Sequence, residues 1–194
     1  MMKKPLEEEY KIAKRKSAKP MLWVSMISMT MMFAGLTSAY VVSRKRNDWV
    51  SFDLPMAFYG STVVIILSSI TFLLAKHFIK KGNRKLTTLN LVSTLLFGLC
   101  FVFFQFEGFS ELFNEGFVFA GAESTVKSSF IYGITLAHLV HIFAGLIVLV
   151  VVLYNHLNNK YSESDSLGLE LGAIFWHFVD ILWIYLFFFF YLVR

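Results

Sequence analysis

Five stretches of the chain are almost continuously apolar, and short polar segments separate them. They cover about residues 22–42, 54–74, 89–109, 130–154 and 172–193. Each holds about 20 residues or more, the length a helix needs to cross the hydrocarbon core of a bilayer. Strands with open edges would leave backbone groups unpaired in lipid, so the runs are predicted to be helices. The expectation is an all-α integral membrane protein, a bundle of five transmembrane helices over residues 21–194, with a charged arm over residues 1–20 ahead of it. In that arm Glu7-Glu8-Glu9 precede Lys14-Arg15-Lys16, and Glu–Lys pairs at helical spacing favour a helix from Glu7 to Lys16. The first apolar run ends without a convincing cleavage site, so it is read as a span and not as a secretory signal peptide.

Composition agrees with the pattern. Of 194 residues, 57% are hydrophobic and 16% charged, a load that a soluble interior of this size has no room to hold. Cys100 is the only cysteine, which rules out an internal disulfide and a thiolate cluster for zinc or iron–sulfur. The net charge of +5 sits in short segments beside apolar spans, which reads as membrane topology and not as nucleic-acid binding.

Lysine and arginine placement sets the expected orientation. With a cytoplasmic N-terminus, thirteen basic residues fall inside and five (Arg44, Lys45, Arg46, Lys127 and Arg194) fall outside. The positive-inside rule favours that arrangement, against the local vote of Arg44-Lys45-Arg46. The acidic loop of Glu111, Glu115 and Glu123 and the C-terminus then lie outside.

Ionisable residues inside apolar runs are costly, on the order of 2.5–3.5 kcal/mol each on insertion scales, and so mark positions that face protein. In the fourth run His138 and His141 share one helical face. Two imidazoles at this spacing suit either a metal or haem site or interhelical hydrogen bonding to a carboxylate or carbonyl. In the fifth run Glu170, His177 and Asp180 fall near one face, with Trp176 and Trp183 on an adjacent stripe. These three suit either a proton relay or a paired structural seam. Counted at about 1.5 Å per residue, Asp180 and His141 lie at comparable depth, so the two are expected to meet. Ser61-Thr62 and Ser68-Ser69 suit close helix contact. Met26, Met29, Met31 and Met32 are read as gap fillers and not as copper ligands.

Taken in order, these residues resemble subunit III of the haem–copper oxidases, the family of cytochrome c and quinol oxidases. Trp176-His177-Phe178-Val179-Asp180 with Trp183 and Glu170 resembles the family's final helix. His138-Leu139-Val140-His141 with Gly145 is similar to its His-Gly-Leu-His element. Gly60-Ser61-Thr62 through Ser68-Ser69, then His77 and Gly82-Asn83-Arg84, resembles a segment further upstream. The chain looks like a five-helix bacterial form without the first two helices of the larger members. Two departures matter: the stretch from Ile27 to Tyr40 lacks the family's membrane-buried acid, with Met29 near that position, and Leu139 replaces a small residue.

The resemblance implies a non-redox, non-catalytic subunit of a proton-pumping oxidase in a bacterial cytoplasmic (inner) membrane. Its expected role is to stabilise the catalytic subunit I, bind phospholipid and support proton uptake, with haem and copper held by partner subunits and no cofactor of its own. Cytochrome c is the preferred electron donor, quinol the alternative, and a larger respiratory assembly a further partner. His138, His141, Glu170, His177 and Asp180 then form a structural polar seam, and Lys76, Lys80, Lys81, Arg84 and Lys85 are candidates for anionic headgroups. An independent proton or ion transporter is the competing class, but its usual internal repeats and interrupted helices are not found. A haem-binding membrane cytochrome is a third.

Overall fold

The computed structural model describes residues 3–46, 49–50, 52–121, 124–161 and 166–193; Glu123 and Arg194, used above for topology, lie outside them. Five helices follow one another: α1 (Lys3–Ser43), α2 (Met56–Lys80), α3 (Arg84–Asn114), α4 (Val126–Leu157) and α5 (Leu167–Leu192). All five are long and apolar enough to cross a membrane.

Each helix is longer than the apolar run that announced it, and at the α2–α3 turn and the start of α4 local capping sets the boundary. Between α2 and α3 the turn is only Lys81-Gly82-Asn83. Gly82 adopts φ 71°, a left-handed conformation that costs glycine little. Asn83 donates its backbone N–H to the Phe78 carbonyl at 3.0 Å, and its side chain accepts from the Leu86 N–H at 3.2 Å. One asparagine thus closes α2 and opens α3. At the start of α4, Thr125 and Ser128 form a reciprocal capping box. The polar arm expected as a separate segment is the first part of α1, which continues through Pro20 without a break. Its Glu and Lys residues are good helix formers, so the polar boundary leaves the backbone helical.

Helices α2, α3, α4 and α5 form a ring in which each packs on the next and α5 closes onto α2; α1 lies outside it, against α4 and α5. Lipid removes the usual hydrophobic drive between helices, so close packing and interhelical hydrogen bonds hold the ring together. Trp176 of α5 reaches its middle and is fully buried. A Cβ on Gly98 of α3 would come within 2.9 Å of its ring, and one on Gly145 of α4 within 3.0 Å. The two glycines therefore let α3 and α4 close on the indole. Among the described side chains of α1, only a narrow stripe is buried, Met26, Phe33, Thr37 and Tyr40, while Met21, Val24, Met31 and Val42 are exposed.

Candidate functional site

The richest polar geometry lies between α2 and α5. Trp176 Nε1 donates to Ser68 Oγ at 3.0 Å, and Trp183 Nε1 donates to Thr62 Oγ1 at 3.0 Å. His177 Nδ1 and Ser69 Oγ are 2.6 Å apart. The seam continues into α3, where Ser68 donates to the Thr94 carbonyl at 3.3 Å and Thr71 and Thr94 hydroxyls meet at 2.8 Å. Such interhelical bonds average about 0.6 kcal/mol each in a membrane protein, so the set matters more than any member. The serine and threonine pairs of α2, expected only to ease packing, are its main acceptors.

Asp180 sits within this seam, between Trp176 and Trp183 on α5, and is only 1% exposed. It does not meet His141, and neither of its carboxyl oxygens has a hydrogen-bond partner. Equal depth along two helices leaves rotation about each axis free, and rotation decides which side chains meet. Asp180 stands one turn beyond Trp176 on α5, while the His141 ring packs edge-on against Phe33 of α1, centroids 5.6 Å apart. His141 Nδ1 is satisfied by the Ala137 carbonyl of its own helix at 2.7 Å.

His138 also departs from the hydrogen-bonded expectation. It is fully buried, and both ring nitrogens are without a partner. Aromatic rings enclose it: Trp183 lies tilted at 5.4 Å, with Phe101 and Phe33 edge-on at 6.0 and 6.3 Å. Among the described residues, no three His, Cys, Asp or Glu side chains cluster as a metal-ligand set.

Glu170 lies apart from the other four at the rim. Its carboxylate pairs with Lys19 of α1 at 2.9 Å and stands 4.0 Å from Lys80 of α2, so three helices converge on one acid. Lys80, Lys81 and Lys85 are exposed at this edge and Lys76 is half-buried. Arg84 is committed to the protein: its guanidinium donates to the His156 carbonyl and, at 3.2 Å, to that of Tyr161. It thereby ties the start of α3 to the end of α4.

Several polar groups escaped the sequence reading. Gln105 of α3 is fully buried and donates to Ser61 at 3.0 Å; an amide inside an apolar run was signal enough. Buried His156 meets Thr88 at 3.0 Å. Lys127 is buried at the start of α4, donating to the Phe52 carbonyl at 2.8 Å. A shallow apolar groove of about 370 Å³ runs between α1 and α5, lined by Thr30, Phe33, Phe178, Ile181 and Tyr185.

Five spanning helices locked by an indole–hydroxyl seam define a multi-pass α-helical membrane protein. Comparison with known proteins narrows the class. The profile of the family described as cytochrome c oxidase subunit III matches residues 48–193, and the chain belongs to that family. It is 34% identical to cytochrome c oxidase subunit 3 of Drosophila yakuba over 136 residues, 70% of this chain and 48% of that one. It is 30% identical to cytochrome bo(3) ubiquinol oxidase subunit 3 of Buchnera aphidicola over 176 residues, 88% of this chain and 84% of that one. A third relative, cytochrome c oxidase subunit 3 of Emericella nidulans, is 32% identical over 136 residues, 70% of this chain and 47% of that one. The chain thus spans about half the length of its Drosophila and Emericella relatives.

Proposed function

We propose that this chain serves as subunit III of a proton-pumping haem–copper oxidase that reduces O2 to water in aerobic respiration. The observation that carries the reading is the family match over residues 48–193, which takes in α2 to α5 and the whole seam. In this reading the chain is non-catalytic and holds no redox centre; haem and copper belong to partner subunits, foremost the catalytic subunit I. It lies in the cytoplasmic membrane of a bacterium with its N-terminus inside, stabilises subunit I and supports proton uptake. The exposed face of α1 suits a neighbouring subunit, the α1–α5 groove suits an acyl chain, and Lys76, Lys80, Lys81 and Lys85 suit anionic headgroups.

Cytochrome c is the preferred electron donor. A quinol is the second reading, and the Buchnera relative favours it, because that match extends over most of both chains. Purifying the chain from its native membrane should recover subunit I, and oxidation of reduced cytochrome c against a quinol by that complex separates the donors. Depleting the chain should leave haem absorption largely intact. Loss of haem on depletion would overturn the non-redox assignment.

A further inference from the structure

Helix α1 carries a proline just ahead of its apolar run. Pro20 lies inside the helix, and with no N–H it cannot donate to the carbonyl of Lys16, one turn earlier. The residue ahead of a proline prefers extended backbone, yet Lys19 is helical. The Lys19 side chain is also the one that crosses to α5, where it pairs with Glu170 at 2.9 Å. That bond is open to solvent, the two side chains being 48% and 23% exposed, and an ion pair so placed is weak. Glu170 has a second cation in reach, Lys80 of α2 at 4.0 Å. Among the described residues of the arm ahead of Lys19 no side chain is buried; Glu9, Ile12, Ala13 and Lys16 are all exposed. A groove of about 550 Å³ opens between the arm, at Ile12 and Lys16, and Leu167 at the start of α5.

We propose that residues 3–19 are a lever hinged at Pro20 and latched by Lys19 on Glu170. The structure holds the closed position. In the open one Glu170 turns to Lys80, Lys19 relaxes toward extended backbone, and the arm tilts away from Leu167, widening the groove. Glu170 keeps a cation in both positions, so opening leaves no carboxylate unpaired at the rim, and the two positions can lie close in energy. Movement is confined to the arm because α1 is anchored beyond the hinge. The Thr37 and Tyr185 hydroxyls meet at 3.1 Å, and Tyr40 is enclosed by Trp49, Phe130, Phe189 and Phe190. The ring of α2 to α5 closes without α1, so a swing of the arm disturbs none of it. Ions that compete for Lys19 or Glu170 shift the balance, and the lever thereby converts charge at the membrane rim into a change of shape. Ala13 lies about 10 Å along the helix from Pro20, so a kink of about 30° displaces it by about 5 Å.

The test is distance measurement between spin labels, by double electron–electron resonance, on the complex purified from its native membrane in a Cys100→Ser background. Ala13→Cys is paired in turn with Leu157→Cys and Lys81→Cys, so that a swing in any direction registers. Val24→Cys with Leu157→Cys lies beyond the hinge and is the reference; Val24 and Leu157 are 68% and 58% exposed and accept a label. The Ala13 pairs should show two distances. Raised salt or Lys19→Gln should fill the second distance, and Lys80→Gln or Pro20→Ala should empty it, while the reference pair keeps one distance throughout. A single Ala13 distance that neither salt nor Lys19→Gln moves would overturn the proposal, and the salt titration needs no further variant to assemble. Ala13 and Val24 pairs shifting together would overturn the hinge, since the movement would then not centre on Pro20.

Discussion

Adding a single methyl group at Gly98 tests the central packing directly. A Cβ there would lie 2.8 Å from Leu146 Cδ2, 2.9 Å from Trp176 Cη2 and 3.1 Å from Trp176 Cζ2. Leu146 can turn aside, since only the tip of a flexible chain is involved. Trp176 has nowhere to go: its other edge lies against Gly145, and its N–H is held by Ser68. Overpacking of this kind costs about 1–3 kcal/mol, against a gain of about 1 kcal/mol from replacing glycine by alanine within a helix. Gly98→Ala is therefore expected to range from neutral to about 2 kcal/mol destabilising. Gly133→Ala in α4 is the control, because nothing lies within 4 Å of its added methyl; it should gain up to about 1 kcal/mol. Denaturation midpoints of the two purified variants in one detergent provide the comparison. If Gly98→Ala is as stable as Gly133→Ala, Trp176 is not clamped and the account of the bundle centre is wrong.

Three further outcomes are expected. Arg84→Gln should loosen the junction of α3 and α4 by about 1 kcal/mol, from lost charged hydrogen bonds discounted for exposure, whereas Lys85→Gln should leave the midpoint unchanged; equal effects would remove the special role of Arg84. A double-mutant cycle on Asp180→Asn and His141→Ala, read as thermal stability of the complex, should be additive within about 0.5 kcal/mol, and a larger coupling would restore the contact the structure lacks. Lys19→Gln should weaken attachment of α1 by no more than about 1 kcal/mol, an effect that fades as salt rises; a salt-independent loss would mean that Lys19 acts through packing.

The five spans were legible because twenty apolar residues in sequence have few other uses, and hydropathy records that requirement directly. Where each helix ends was less legible. Asn83 and Thr125 place the boundaries by local hydrogen bonds, and the polar start of α1 keeps the same backbone conformation as its apolar continuation. Within the site, sequence spacing reports depth along a helix well and rotation between helices hardly at all. That is why Asp180 and His141, at comparable depth, face different neighbours. A usable signal was present for the seam itself: Thr62 and Ser68 are six apart, and Trp176 and Trp183 seven. Two antiparallel helices with nearly equal intervals bring hydroxyls and indoles level at both points.

The seam also gives the protein a temporal order. Helices α2 and α3 share a three-residue turn and their own hydroxyl contacts, so this hairpin can settle as soon as both have entered the membrane. The indoles that donate to Ser68 and Thr62 and the imidazole that meets Ser69 all lie on α5, which emerges last of the five from the ribosome. Until it arrives, Gly98 and Gly145 have no indole to close upon. Synthesis thus leaves an unfinished ring with exposed hydroxyls, a surface that membrane quality control can distinguish from the finished one, and the entry of Trp176 ends that window.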